Sequence, residues 1–147
     1  MARYTTHVQG VASGTSLLTV LQITAGAQRL GLYGLAVTFK GISSVATPPL
    51  VRVARTTTAG TSSGTPTIVS VDLSGVTSTA TAQSTFTAEP TLSDILWARE
   101  IHPQSGMAEW IPLGDEFVIA PSTRVAFSVL AAATVPITVQ PYWREGH

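Results

Sequence analysis

The sequence predicts an all-β chain: an antiparallel β-sandwich, jelly-roll-like, with little or no helix. Three observations carry this. Thr, Ser, Ala, Val and Gly make up most of the chain, and its many β-branched residues favour extended backbone. Gly and Pro recur at short intervals, as they do between many short strands. Helix evidence is thin, with one short stretch as its best case. The 147 residues fit a single domain, 1–147, long enough to bury a core. About ten short strands in one domain close as a sandwich or barrel, and the jelly roll is the preferred form.

The strands follow in order. Tyr4–Gln9 is the first. Leu17–Ile23 alternates imperfectly and stops before Thr24-Ala25-Gly26. Arg29–Lys40 is long and apolar on both sides: Leu30, Leu32, Gly34, Ala36 and Thr38 alternate with Tyr33, Leu35, Val37 and Phe39. That pattern predicts a strand buried on both faces, with Gly31 and Gly34 marking a bend or a close approach. Leu50–Ala54 follows Pro48-Pro49. Ile68–Leu73 and Thr81–Thr87 are short candidates. Ile95–His102 places Ile95, Trp97, Arg99 and Ile101 on one face. Met107–Ile111 and Phe117–Ile119 flank the turn Pro112-Leu113-Gly114-Asp115. Arg124–Leu130 and Thr134–Tyr142 alternate cleanly and close the set. The one helical candidate is Thr91-Leu92-Ser93-Asp94, a capping-box pattern after Pro90, with Leu92, Ile95 and Leu96 at helical spacing.

Charged residues make up 11% of the chain, against roughly 25% for an average soluble domain. There is a single Lys, Lys40, and the formal net charge is zero. A weakly charged, neutral surface favours association, so much of it is expected to lie against partner subunits. The chain has no Cys, which excludes disulfides and thiolate metal sites. No apolar run approaches the ~20 residues of a membrane helix, and the first residues lack the apolar stretch of a secretory signal. Lys and Arg are scattered without interleaved aromatics, so neither nucleic acid nor membrane is expected as a partner.

Residues 56–88 are compositionally biased. About half are Thr or Ser, and Asp72 is their only charge. They are expected to form an extended loop or arm, either a mobile polar connection or a segment that orders against a neighbouring subunit.

Gly60-Thr61-Ser62-Ser63-Gly64 matches the G-x-S-x-G pattern of a nucleophile elbow. That chemistry needs a buried strand before the Ser and a helix after it, and neither flank fits. His102 with Glu100, Glu109, Asp115 and Glu116 has the residue types of an acid–base or metal cluster, but His102–Gly106 and Leu113–Glu116 read as turns, where carboxylates are normally solvated. His7, His102 and His147 lack metal-ligand spacing. No catalytic, metal or cofactor-binding residue is assigned, and no enzyme activity or cofactor is expected.

The stretch Ala98–Phe117 stands out, gathering His, Glu, Asp, Arg, Met and Trp in a Thr/Ser-rich chain. Trp97, Trp110 and Trp143 each lie in or at the end of a predicted strand. Trp serves in cores and interfaces, and exposed Trp can also stack on sugars. The candidate subunit or capsid interface is therefore His102, Glu109, Trp97, Trp110 and Trp143.

Six segments, in order, carry a family resemblance. They are Tyr4-Thr5-Thr6-His7-Val8-Gln9-Gly10, Val37-Thr38-Phe39-Lys40-Gly41, Arg55-Thr56-Thr57-Thr58-Ala59-Gly60-Thr61, Glu89-Pro90-Thr91, His102-Pro103-Gln104-Ser105-Gly106 and Pro112-Leu113-Gly114-Asp115-Glu116. Together they resemble small virion proteins of tailed bacteriophages, some of which look like head-decoration, or cement, proteins. The resemblance implies a jelly-roll subunit, a homotrimer, made in the host cytoplasm and seated on the capsid surface of the virion against the major capsid protein. The family has no catalytic motif to carry over. The competing expectation is a tail or fibre subunit, or a carbohydrate-binding host-recognition module.

Overall fold

Among the described residues, most runs of β-branched side chains are extended backbone. The computed structural model describes residues 2–40, 47–73 and 75–146, and among these it contains strands and no helix. The first five strands are β1 (Ala2–Thr5), β2 (Val8–Ala12), β3 (Leu18–Thr24), β4 (Leu30–Phe39) and β5 (Leu50–Thr56). Next come β6 (Thr61–Gly64), β7 (Val69–Ser70), β8 (Thr81–Ala88) and β9 (Leu92–Glu100). The chain closes with β10 (Gly106–Trp110), β11 (Phe117–Ile119), β12 (Arg124–Leu130) and β13 (Pro136–Glu145). Gly41 and His147, named in the sequence reading, lie outside the described residues.

Two antiparallel sheets pack face to face. One runs β10-β4-β13-β1-β7, with β11 also on β4 and β2 also on β13; the other runs β6-β8-β3-β12-β5-β9. Eight of the strands make a folded hairpin: β1 pairs β13, β3 pairs β12, β4 pairs β10, and β5 pairs β9. First meets last and fourth meets fifth, with successive strands mostly alternating between sheets. This is the jelly-roll arrangement, and the expected sandwich is the observed fold.

Leu21, Ile23, Val51, Val53, Phe127 and Val129 of one sheet face Leu32, Leu35, Val37, Ile137, Val139 and Trp143 of the other. The expectation that β4 is buried on both faces needs correcting. Its pairing with β13 skips Tyr33, matching Tyr142 to Gly34 and Trp143 to Leu32. A β-bulge changes the phase of a strand by one residue. Leu30 and Leu32 point into the core before Tyr33, and Leu35 and Val37 do so after it. The apolar residues on both sequence faces thus share one structural face.

The described residues of 56–88, expected as an extended loop or arm, contain three strands and pack on their own domain. They are inserted between the fourth and fifth jelly-roll strands and folded onto their own domain. β8 and β6 extend the six-stranded sheet beyond β3, and β7 extends the other sheet beyond β1. Their Thr and Ser content suits exposed edge strands. Hydrogen bonds with β1, β13 and the segment after β1 help to hold the insertion. Asp72 accepts from the Arg3 backbone N–H at 2.8 Å and from its Nε at 2.7 Å. Thr6 Oγ1 donates to the Thr67 carbonyl at 2.8 Å, and the Tyr4 hydroxyl donates to the Val76 carbonyl at 3.1 Å. Glu145 accepts from Ser78 and Thr79. The connection from β5 to β6 also crosses the outer face of its sheet, where buried Gln22 donates to the Ala59 carbonyl at 3.0 Å.

Leu92–Asp94 is strand, not helix, and Thr91 leads into it. Leu92 pairs with Thr56 and Ile95 with Ala54 at the start of β9, with bulges between. A capping-box pattern is local, and pairing along β5 overrides it. The expected strand Ile68–Leu73 shortens to Val69–Ser70, and Tyr4–Gln9 splits into β1 and β2 around Thr6 and His7.

Candidate functional site

Register decides which side chains share the outer face of the seven-stranded sheet. Trp110 of β10 stands opposite Gly34 of β4, Gly34 opposite Tyr142 of β13, Tyr142 opposite Thr5 of β1, and Thr5 opposite Val69 of β7. One row away, Arg144 stands opposite both Gly31 and Arg3. The bulge at Tyr33 adds a third ring beside Trp110.

The three rings form a contiguous cluster. Trp110 and Tyr142 have centroids 4.9 Å apart, Tyr33 and Trp110 lie stacked at 6.1 Å, and Tyr33 and Tyr142 are 6.3 Å apart. Gly34 makes this possible. A Cβ there would sit 2.5 Å from a carbon of the Trp110 ring, so the indole occupies the space that a side chain would need. The close approach expected at Gly34 is made by a ring from β10. The Ile111 N–H donates to the Tyr33 carbonyl at 2.8 Å and holds the start of the following turn against β4. Tyr33, Trp110 and that turn, through Leu113, enclose an open concavity of about 530 Å³ with Arg3 and Arg144 on its rim.

Trp110 is 58% exposed and Leu113 75% exposed. Both rim arginines are ion-paired, Arg3 to Asp72 at 2.6 Å and Arg144 to Glu116. Burial pushes the Tyr33 hydroxyl above its ordinary pKa of 10.0, with the Arg3 charge opposing, so it is a neutral donor at physiological pH. Among the described residues, neither the Tyr33 nor the Tyr142 hydroxyl hydrogen-bonds to the protein.

The five residues expected at one interface are dispersed. Trp143 is 1% exposed, lies 6.2 Å from the Tyr4 ring and donates to Glu145 at 3.3 Å. It belongs to the core and has no surface to offer, because its position on β13 points inward. Trp97 is 8% exposed, and its Nε1 donates to Glu109 Oε2 at 2.7 Å. Arg99 lies over the Trp97 ring at 5.5 Å and 3.8 Å from Glu109. Trp97 and Glu109 therefore join the edges of the two sheets within the chain. His102 sits in the exposed turn between β9 and β10, its Nδ1 accepting from the Gln104 N–H at 3.2 Å. Only Trp110 joins the aromatic face. Tyr33 and Tyr142 were not singled out from the sequence, and only the bulge and the register of β13 bring them there.

The pieces of the sequence motifs stay apart. Ser62 lies on edge strand β6, and His102 follows β9 at the opposite edge of the same sheet. Five strand spacings separate them, roughly 24 Å, so they cannot share a proton. Glu116 is buried against Arg144 and accepts from the Gly114 N–H at 2.8 Å, while Glu109 is held by Trp97. Among the described residues, no group of three His, Asp or Glu has metal-binding geometry.

No family model, curated protein or solved structure matches this chain.

Proposed function

We propose that this chain is a structural virion subunit: it binds the outside of a phage capsid, against the major capsid protein, and reinforces the shell as a homotrimer. The observation that carries the reading is the outer edge of the insertion. Val69, Val71, Leu73 and Val76 are 53%, 42%, 93% and 57% exposed along one edge of the seven-stranded sheet. Leu73 also holds φ at 52°, a left-handed conformation that costs an ordinary residue about 1–2 kcal/mol. Among the described residues no packing offsets that cost, since the side chain is 93% exposed. A partner that covers it would. Each such side chain removed from water contributes up to about 1.5–3 kcal/mol, multiplied over the copies on a shell.

Three further features support the reading. Charged residues are few, the six resembling segments run in order through the chain, and the jelly roll is an architecture used by viral shell subunits, an analogy of fold alone. Reinforcement needs no chemistry, only burial and edge pairing repeated at identical sites.

The test is sedimentation of the purified chain, alone and with undecorated capsids, beside Val71→Asp and Leu73→Asp. The wild type should be trimeric and co-sediment in hundreds of copies per particle. The variants should fold and stay monomeric. A wild type that is monomeric at micromolar concentration and ignores capsids overturns the proposal. A handful of copies per particle would move the chain to the tail or a fibre.

A further inference from the structure

We propose that the concavity floored by Tyr33 and Trp110 is a carbohydrate site that takes the apolar face of a neutral sugar ring. The inference is independent of the capsid reading. The aromatic floor lies on β10 and β4 and the exposed insertion beyond β1, although the Arg3–Asp72 pair links the concavity's rim to the insertion. About four strand spacings, roughly 19 Å, separate the two.

The shape comes first. The stacked Tyr33 and Trp110 rings make an aromatic floor, Tyr142 packs against both, and Gly34 lets the indole lie close to the sheet. The volume of about 530 Å³ falls within the range of small-ligand sites, roughly 300–1,000 Å³. Of the three tryptophans, two are buried in places that use them fully, while Trp110 keeps 58% of its surface in water. Its surface is left for a ligand.

The chemistry narrows the class. An aromatic face carries negative charge density and attracts polarised C–H groups. A pyranose ring presents such C–H groups on one face and hydroxyls around its edge. The floor here is apolar, and the lining adds the Tyr33 phenol and the half-exposed Arg3 side chain, 55% accessible. A wholly apolar ligand would strand those polar groups against it.

Charge decides between neutral and acidic sugars. Each rim arginine has its own carboxylate, Asp72 for Arg3 and Glu116 for Arg144. The rim therefore carries paired charge and no net excess to attract a uronate or a sulfate. A neutral hexose meets it without displacing either pair.

Trp110 is also the reporter. Trp97 and Trp143 are 8% and 1% exposed, so a ligand in the concavity changes the emission of Trp110 alone. The experiment titrates the full chain with neutral gluco-, manno- and galacto-oligosaccharides, beside sialylated and uronate-containing glycans. At least one neutral series should shift the emission to shorter wavelength and saturate, with a dissociation constant of about 1 mM or tighter. Trp110→Ala, followed by isothermal calorimetry, should weaken binding about tenfold or more with far-UV circular dichroism unchanged. Trp110→Phe should keep part of it.

Leu73→Asp should bind sugar as the wild type does, so loss of assembly leaves this proposal standing. Absence of any response to neutral sugars overturns it. So does binding confined to acidic glycans, or binding that survives Trp110→Ala. Emission that changes with protein concentration and not with sugar would overturn it in favour of a second copy of this chain.

Discussion

Trp97 Nε1 donates to Glu109 Oε2 at 2.7 Å, from the edge strand of one sheet to the edge strand of the other. The sandwich is open along this edge, and the bond closes it. Glu109→Ala leaves a nearly buried indole N–H without an acceptor, which costs about 1–3 kcal/mol. Glu109→Gln keeps a carbonyl acceptor and should lose less. Urea unfolding of the two variants checks the order. Salt should matter little, because the Arg99 contact to Glu109, at 3.8 Å, is half-exposed and weak.

The three tryptophans should separate by stability. Trp143→Ala empties a site in the middle of the core and should cost about 3–5 kcal/mol. Trp110→Ala, on the outer face, should cost less than about 1 kcal/mol. Thermal or urea unfolding measures both. Equal losses would contradict the placement of Trp143 inside and Trp110 outside.

Acid should release the insertion. Burial pushes the Glu145 pKa up, but hydrogen bonds from Ser78, the Thr79 N–H and hydroxyl, and Trp143 outweigh it, and the net position is below the ordinary 4.5. A carboxylate with a lower pKa when folded stabilises the fold above its unfolded value. That contribution is complete above about pH 4.5 and is lost as pH falls through the lower, folded value. Glu145→Gln should flatten this acid limb. The measurement is unfolding free energy against pH from neutral to pH 3, compared with the wild type.

Two glycines should differ in their response to Ala. At Gly26 a Cβ would lie 2.1 Å from the Thr79 carbonyl oxygen, which belongs to the inserted backbone. At Gly34 it would meet the exposed Trp110 ring, which can swing away. Gly26→Ala should therefore cost more than Gly34→Ala, about 3 kcal/mol or more against about 1 kcal/mol. Gly34→Ala should also alter Trp110 emission, whereas Gly26→Ala should loosen residues 77–80 in hydrogen exchange.

Much of the fold was legible in the residues. Alternation and β-branched runs located most jelly-roll strands to within a few positions, and Arg124–Leu130 and Phe117–Ile119 fall where the pattern puts them. The turn Pro112–Asp115 followed from its own chemistry. These features are local: side-chain period and turn propensity are set by neighbours in sequence.

What escaped depends on residues far apart in the chain. Thr91–Asp94 carries a helix-start pattern, yet β5 recruits it from Leu92 onward as strand. Residues 56–88 look like a loose arm, yet hydrogen bonds to Arg3, Tyr4, Thr6 and Glu145 bind them to their own domain. Alternation says that a strand has two faces and does not say which is inside. One skipped residue at Tyr33 was enough to reverse the phase of β4. The sequence by itself determined an all-β sandwich of weakly charged surface. Only the tertiary structure decided that Trp143 is core, that Trp97 ties the sheets, and that Trp110 joins two tyrosines in the open. The reason is that burial belongs to a pairing register, and register is settled by partners up to a hundred or more residues away, such as Thr5 and Tyr142.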